Sequence, residues 1–142
     1  EVDRGMDLER FVSAQDAGGT YDRALGELRA GRKTSHWMWF VFPQVAGLGR
    51  SETARAYALG GLDEARAYLA QDVLGARLRE CCRALLDAGG ASAEEVLGGV
   101  DAMKLRSSMT LFARADPAEP VFGEVLGRFF DGREDERTVA LL

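Results

Sequence analysis

Apolar residues recur along most of this chain at the spacing that places them on one face of an α-helix. In the clearest stretch they fall at positions i, i+4, i+7, i+8 and i+11, which are Leu74, Leu78, Cys81, Cys82 and Leu85. A second stripe runs from Val121 to Phe130 and is followed by Gly132. Such stripes are typical of amphipathic helices that bury one face against a core.

Residues that favour helix ends divide this pattern into segments. We predict that Asp7, Thr20 and Asp101 each cap a helix, because short polar side chains accept hydrogen bonds from the first free backbone N–H groups. Two capping boxes are predicted at Ser92–Glu95 and Asp116–Glu119, the second with a proline at the first helical position. Glycines supply the left-handed residue that ends several of these segments.

The aromatic segment from Ser35 to Gln44 interrupts the helical pattern. It is too continuously apolar for a surface helix and could form either a short buried helix from Ser35 or a buried strand. We favour the helix, because no second strand pattern is present to pair with it.

The chain is therefore predicted to be all-α, a compact single-domain bundle of about seven to nine short and medium helices over residues 7–142. Residues 1–6 are predicted to be an upstream remnant or a disordered start, because Met6 is a natural first residue.

Composition narrows the classes of protein to consider. A chain of 142 residues fits one domain with a core of its own. One histidine and two adjacent cysteines cannot supply a zinc finger or a disulfide framework, so we expect no metal and no cofactor. No apolar run approaches the roughly 18 residues that a membrane span needs, and we expect a cytoplasmic protein that binds no membrane. The net charge of −5 argues against general nucleic-acid binding.

Charge is distributed unevenly along the chain. Two windows, residues 28–51 and 102–115, contain no acidic residue. Their basic residues are Arg29, Arg32, Lys33, Arg50, Lys104, Arg106 and Arg114. The segment 116–136 carries seven acidic residues and two arginines, a net charge of −5. The basic residues could simply lie on solvated faces, or the two windows could meet at one cleft and form a local anion site.

These windows contain the residues that we predict to line such a cleft. The loop Gly47-Leu48-Gly49-Arg50-Ser51 precedes a helix, so its backbone N–H groups could face an anion; an ordinary turn with Ser51 as the cap is the alternative. Trp37 and Trp39 fall on different helical faces, so one could pack inward while the other lines the cleft. The predicted ligand-binding residues are Lys33, Trp37, Trp39, Gln44, Gly47, Gly49, Arg50, Ser51, Lys104, Arg106, Ser107, Ser108 and Thr110.

The segment from Lys104 to Thr110 places many polar side chains in an otherwise apolar helix. Lys104 and Ser108 share a face at i and i+4, and so do Arg106 and Thr110. This density of polar groups predicts a half-buried helix that lines a cavity. The alternative is that the hydroxyl groups bond back to the preceding turn of the same helix.

His36 is the only histidine and the predicted catalytic residue. Its side chain titrates nearest to neutral pH, so it could act as a general acid or base. We expect the ring to be buried among Trp37, Trp39 and Phe40, where burial and the charge of Lys33 would favour its neutral form. A hydrogen-bonded structural histidine is the alternative.

Several strings of residues together resemble a known bacterial family. They are Asp7-x-x-x-Phe11-Val12-x-Ala14-Gln15, Tyr21-x-x-Ala24-Leu25-x-Glu27-Leu28-x-x-Gly31-x-Lys33, Ser35-His36-Trp37-Met38-Trp39-Phe40-x-Phe42-Pro43-Gln44, Gly47-Leu48-Gly49-x-Ser51 and Lys104-Leu105-x-Ser107-Ser108-Met109-Thr110-Leu111-Phe112. The chain is similar to the family catalogued as domain of unknown function 1810 over nearly its whole length, from Asp7 to Leu142. The resemblance implies a small, mainly α-helical cytoplasmic protein and no established activity.

A more distant similarity is to the helical NADAR family of N-glycosidases, which act on ADP-ribose-type or riboflavin-precursor N-glycosidic bonds. The order Leu78-Arg79, Leu85-Leu86 and Asp101 resembles that family, whereas Met103-Lys104 stand where the family has Trp-Gly. This similarity implies a class of ligand only, and no catalytic residue is carried over from it.

Two hypotheses of different classes follow. In the first, the chain binds a small phosphorylated or nucleotide-like ligand in a basic cleft lined by Trp and His, with hydrolase or N-glycosidase activity as a further option. In the second, it is a non-enzymatic interaction module that docks a protein partner or a second copy, using the basic face and the acidic segment 116–136. We expect a small anionic partner and a monomer or weak dimer. An enzyme-like pocket would be concave, whereas an interaction module would expose a flat apolar patch near Trp37 and Trp39.

Overall fold

The computed structural model describes residues 7–89 and 91–142, and the predicted upstream segment, residues 1–6, lies outside them. The helices in chain order are α1 (Glu9–Asp16), α2 (Thr20–Ala30), α3 (Met38–Val41), α4 (Glu52–Ala56), α5 (Leu62–Ala70), α6 (Asp72–Ala88), α7 (Ala93–Leu97), α8 (Gly99–Ala115), α9 (Pro120–Phe130) and α10 (Glu136–Leu141). A 3₁₀ turn over Ala17–Gly19 joins α1 to α2. The strand-like pairing in the described ranges is an isolated bridge between Val45 and Leu59. The prediction of an all-α bundle is confirmed.

Helix α8 lies at the centre of the bundle and contacts α5, α7, α9 and α10. Every residue from Ser107 to Phe112 is buried, so this stretch has no solvent-exposed face. A helix surrounded in this way has no polar face, which explains why its sequence is not amphipathic. The apolar stripe of α6 is buried as predicted, in a helix that packs against α2, α5 and α9.

One of the two predicted capping boxes is present. Ser92 caps α7: its hydroxyl accepts a hydrogen bond from the N–H of Glu95, and the Glu95 carboxylate accepts one from the N–H of Ser92. The second box is wrong, because α9 begins at Pro120 and not at Pro117. A helix starting at Pro117 would place Pro120 where the first intrahelical N–H bond is needed, and proline has no N–H to give.

The predicted caps at Asp7, Thr20 and Asp101 are wrong, because the N-cap residues of α1, α2 and α8 make no side-chain capping bond. Thr20 is instead the first residue of α2, and its hydroxyl donates to the carbonyl of Ala17 in the preceding turn. Asp101 lies in the first turn of α8, where its carboxylate pairs with lysine side chains. An acidic residue near a helix start therefore has a role here other than capping.

The aromatic segment forms the single helical turn α3, so the choice of a buried helix over a strand is confirmed over four residues. The turn begins at Met38 and not at Ser35, with Trp37 at its N-cap. The buried side-chain amide of Gln15 donates to the carbonyl of Phe40 at 2.7 Å and ties α3 to α1. This hydrogen bond fixes the position of α3, and with it the start of the segment that follows α3.

Candidate functional site

Glu27 fixes the loop that leads into α3. Its carboxylate accepts hydrogen bonds from the N–H of Thr34 at 2.8 Å, the N–H and hydroxyl of Ser35 at 3.1 Å and 2.5 Å, and the indole N–H of Trp37 at 2.9 Å. Partial burial alone raises the pKa of Glu27, but these hydrogen bonds to the charged form outweigh it and lower the pKa to about 2. The loop is thereby held with the Trp37 ring in the core.

Asp101 joins the two windows that lack acidic residues. Its carboxylate lies 2.8 Å from the Lys33 ammonium and 3.4 Å from the Lys104 ammonium. The Lys104 ammonium also lies 4.2 Å from the centroid of the Trp39 ring, and the Lys33 ammonium lies 5.2 Å from that of Trp37. The two windows therefore meet here, with one carboxylate between two lysines and an indole ring beside each lysine.

A groove of about 200 Å³, the outer groove, is formed by the segment after α3, by α8 and by residues around the start of α10. It is lined by Gln44, Leu48, Gly49, Val100, Met103, Lys104, Ser107, Asp135 and Arg137. Val100 and Met103 form an apolar wall, and they are 71% and 65% exposed. These two side chains leave apolar surface accessible along the groove.

The polar groups of the outer groove include two cations, Lys104 and Arg137, and one acid, Asp135. Within the described residues Arg137 makes no ion pair. The Asp135 carboxylate accepts from the N–H and the hydroxyl of Thr138 at 2.9 Å and 2.5 Å, so it is held as the cap of α10. The half-buried side-chain amide of Gln44 makes no hydrogen bond to the part of the chain that is described, and it can both donate and accept one.

A second, much smaller cavity of about 10 Å³, the inner pocket, shares Gln44, Gly49 and Lys104 with the outer groove. Its other lining residues are apolar or aromatic: Met38, Trp39, Phe42, Val45, Ala54, Tyr57 and Ala58. A cavity of this size holds about one water molecule. Lys104 thus lines both an aromatic pocket and an open groove.

The predicted ligand-binding residues divide into two groups. Those that line one of the two cavities are Trp39, Gln44, Gly49, Lys104 and Ser107. Lys33 joins them through Asp101, and Gly47 lies at the edge of the site, where an added Cβ would approach the Leu141 side chain at 3.3 Å. The cleft predicted from the sequence is therefore assembled in part.

Other predicted residues lie away from both cavities. Trp37 is in the core, and Ser108 and Thr110 are fully buried. The Thr110 hydroxyl donates to the carbonyl of Arg106 at 2.8 Å, which is the back-bonding alternative. The Ser108 hydroxyl has no hydrogen-bond partner in the described ranges.

Arg106, Arg50 and Ser51 also lie outside the outer groove and the inner pocket, and Arg106 lines a separate cavity with Arg114 and Arg133. The Arg106 guanidinium donates to the carbonyls of Arg133 and Glu134 at 2.9 Å and 2.7 Å, on a different side of α8 from Lys104. Ser51 caps the five-residue helix α4, which is the ordinary-turn alternative, and Arg50 is exposed.

His36, the predicted catalytic residue, is exposed and lines neither cavity. The expected burial of its ring among aromatic side chains is wrong. The hydrogen bonds of Glu27 direct the indole of Trp37 into the core, and the preceding residue of the loop is left at the surface.

The sequence predictions omit the apolar wall of the outer groove and the two groove residues Asp135 and Arg137. Val100, Met103, Lys104 and Ser107 occupy positions i, i+3, i+4 and i+7 of α8, a spacing that places them on one helical face. This spacing was available in the sequence as a signal. Asp135 and Arg137 gave no such signal, because they reach the groove only through the packing of α10 on α8.

The two cysteines lie in the packed interior and not at either cavity. Cys81 and Cys82 are buried, and burial raises the pKa of both thiols, that of Cys81 to about 12. In residues 7–89 and 91–142 no group of three His, Cys, Asp or Glu side chains is placed to hold a metal ion. None of the helices in these ranges has both the length and the apolar character to cross a membrane.

Comparisons with known proteins agree with this fold. A solved structure, that of the conserved hypothetical protein Rv1873 from Mycobacterium tuberculosis, has a TM-score of 0.93 to this chain and 52% sequence identity, with 96% of each chain covered. No match is found among curated proteins. Residues 5–142 match the model of the family described as a protein of unknown function, DUF1810. The resemblance in the sequence is thereby confirmed, and the chain belongs to the DUF1810 family.

Proposed function

We propose that this protein binds a small phosphorylated or nucleotide-like ligand in the outer groove. The observation that carries the proposal is that Lys104 and Arg137 line the same groove as the exposed apolar residues Val100 and Met103. Cationic side chains bind phosphate oxygens through charge-assisted hydrogen bonds, and an apolar wall covers the rest of a ligand. Binding sites for small molecules usually combine an apolar lining with a few polar groups in this way.

The dimensions of the outer groove favour a small ligand. Its volume is about 200 Å³, whereas sites for drug-sized molecules measure about 300–1,000 Å³. A sugar phosphate suits this volume. A nucleic-acid strand would require a broad cationic surface, which a chain with a net charge of −5 does not favour.

The hydrolase or N-glycosidase activity expected from the sequence requires a group that moves a proton at the scissile bond. Asp135 supports this part of the proposal, because it is the carboxylate on the groove wall and its hydrogen bonds with Thr138 use Oδ2 and leave Oδ1 for a ligand. His36 lies outside the groove. We therefore assign proton transfer, if the ligand is cleaved, to Asp135.

Thermal-shift titration with ribose 5-phosphate tests the binding proposal. A ligand at 100 times its Kd raises the free energy of unfolding by about 2.7 kcal/mol, so the midpoint of the wild type should rise. Arg137→Ala removes a groove cation and should weaken binding about tenfold. Arg32→Ala is the matched control, because it removes an exposed arginine that makes no ion pair within the described residues and lines neither the outer groove nor the inner pocket. The proposal is rejected if no compound in a panel of sugar phosphates, nucleotides and ADP-ribose raises the midpoint.

The exposed apolar residues favour a second candidate function, that of a protein-interaction module. Among the described residues the exposed large hydrophobic ones are Val100, Met103, Leu141 and Leu142. The first two line the outer groove, and the third lies beside Gly47 at its edge. Sedimentation of the wild type and of Met103→Glu separates the two functions. Self-association that the new charge abolishes would support the interaction module.

A further inference from the structure

We propose that the inner pocket is the subsite for an aromatic ring of the ligand, and that Lys104 opens it by moving from the Trp39 ring to the ligand's phosphate. The inference rests on the proposed binding of a phosphorylated ligand in the outer groove. It adds the chemical class of that ligand, which is a planar aromatic ring that carries a phosphate group.

Lys104 is the cation that lines both cavities. Its ammonium lies 4.2 Å from the centroid of the Trp39 ring and 3.4 Å from the Asp101 carboxylate. Asp101 has a closer partner in Lys33, at 2.8 Å, so its charge stays paired when Lys104 moves away. The lysine stem is flexible, and the ammonium can exchange an aromatic face for a phosphate while remaining paired. A ligand phosphate in the outer groove thus offers Lys104 an alternative partner and frees the Trp39 ring.

The lining of the inner pocket suits a planar ring. Trp39, Phe42 and Tyr57 contribute aromatic surface. The Tyr57 ring is fixed by edge-to-face contacts with Phe11 and Phe40, at centroid distances of 5.7 Å and 4.7 Å. Flat rings stack on such side chains whatever their hydrogen-bonding pattern.

Gln44 adds a polar group where the two cavities meet. It lines both the outer groove and the inner pocket, and its side-chain amide makes no hydrogen bond within the described residues. An amide offers two donors and one acceptor, which matches the edge of a nitrogen heterocycle. The free amide therefore favours a heteroaromatic ring over a phenyl ring.

The inner pocket has room for about one water molecule, so a ring enters only when Lys104 leaves the Trp39 ring and the outer wall moves. This wall includes Ala54 of α4, a helix of five residues, none of them buried. Gly49 packs so closely on it that an added Cβ would lie 2.4 Å from the Cβ of Ala54. Segments with few buried contacts open locally without unfolding the core. The opposite wall, from Met38 and Phe42, is fixed in the core.

Three probes test the inference: AMP, ribose 5-phosphate and adenosine. We expect AMP to bind about tenfold more tightly than ribose 5-phosphate, because only AMP carries a ring to stack in the inner pocket. AMP should also change tryptophan emission, since Trp39 is one of two tryptophans and the other is in the core. Adenosine should bind more weakly than AMP, because it has no phosphate to draw Lys104 away. In Trp39→Leu both the preference for AMP and the emission change should disappear.

Each outcome has a distinct meaning. Equal affinities for AMP and ribose 5-phosphate with unchanged emission would overturn the ring subsite and leave the proposed function intact. Binding of none of the three probes would overturn both. Adenosine binding as tightly as AMP would overturn the exchange at Lys104. If Trp39→Leu does not fold, the wild-type affinities and emission decide the matter on their own.

Discussion

Asp101 determines the charge balance of the site. It lies between Lys33 and Lys104, and the Lys33 side chain is only 8% exposed. An ammonium group withdrawn from water to this extent requires a counter-charge, because its lost hydration is otherwise not compensated. The same carboxylate offsets the repulsion between the two lysines and lets them lie near each other.

Replacing Asp101 with asparagine should lower the free energy of unfolding by about 2 kcal/mol, somewhat less than the loss of a partner in a fully buried pair. Urea unfolding at neutral pH measures the change. Asp16→Asn is the matched control, because Asp16 pairs with Arg77 at 2.9 Å but is 56% exposed, and its loss should cost less than about 1 kcal/mol. Equal losses in the two variants would show that Asp101 does not compensate a buried charge.

Glu27 predicts a specific pH dependence of stability. Its pKa is lowered from 4.5 to about 2 in the folded chain, so below pH 4.5 the unfolded chain binds a proton more readily than the folded one. The stabilisation from this carboxylate is therefore complete above about pH 4.5 and is lost as the pH falls towards 2. Between about pH 5 and pH 3 the free energy of unfolding should fall more steeply in the wild type than in Glu27→Gln. Parallel pH profiles in urea unfolding would mean that the hydrogen bonds of Glu27 do not favour its charged form.

For single residues, the sequence indicated which side chains line a site better than it indicated which groups they contact. Lys104 was predicted to contact a ligand from its charge, Gln44 from its amide and Trp39 from its aromatic ring, and each lines a cavity. Asp101 was assigned to a helix cap, because an acidic residue at a helix start looks the same in sequence whether it accepts from N–H groups or pairs with a distant lysine. The exposure of His36 depends on the hydrogen bonds of Glu27 to the following residues, which spacing does not reveal.

At the scale of elements, two serine caps of different consequence can be compared. Ser92 caps α7, which has buried residues, so Ser92→Ala should lower the global free energy of unfolding by about 1 kcal/mol. Ser51 caps α4, which has none, so Ser51→Ala should mainly speed hydrogen exchange of the α4 amides. Urea unfolding and hydrogen exchange measure the two effects. An equal global loss in Ser51→Ala would mean that α4 is coupled to the core.

Helices with one apolar face were predicted well, and helices without one were not. The stripe of α6 revealed both its existence and its buried face. Helix α8 is buried on all sides over residues 107–112, so the polar groups Ser107, Ser108 and Thr110 suggested a cavity where two of them lie in the packed interior. The start of α9 was misplaced because Pro117 and Pro120 are both suited to the first position of a helix. A start at Pro117 would cost an intrahelical hydrogen bond at Pro120, and this cost decides for Pro120.

At the scale of the whole molecule, the outer groove brings together residues 44–49, 100–107 and 135–137. The first two segments were connected in the sequence by their shared lack of acidic residues. Residues 135–137 overlap the acidic segment 116–136, so the charge pattern of the sequence did not predict that they lie at an anion site. Its contribution depends on the packing of α10 against α8, a tertiary contact with no local signal in the sequence.

The central claim, that the outer groove binds a small phosphorylated ligand, is tested most directly by mapping where one binds. Isotope-labelled protein is titrated with ribose 5-phosphate, and amide chemical shifts are followed by NMR. We expect the largest changes in residues 44–49, 100–107 and 135–137, which form the groove. No change at saturating ligand, or changes centred on the α2–α6 surface around Arg29 and Arg83, would contradict the claim.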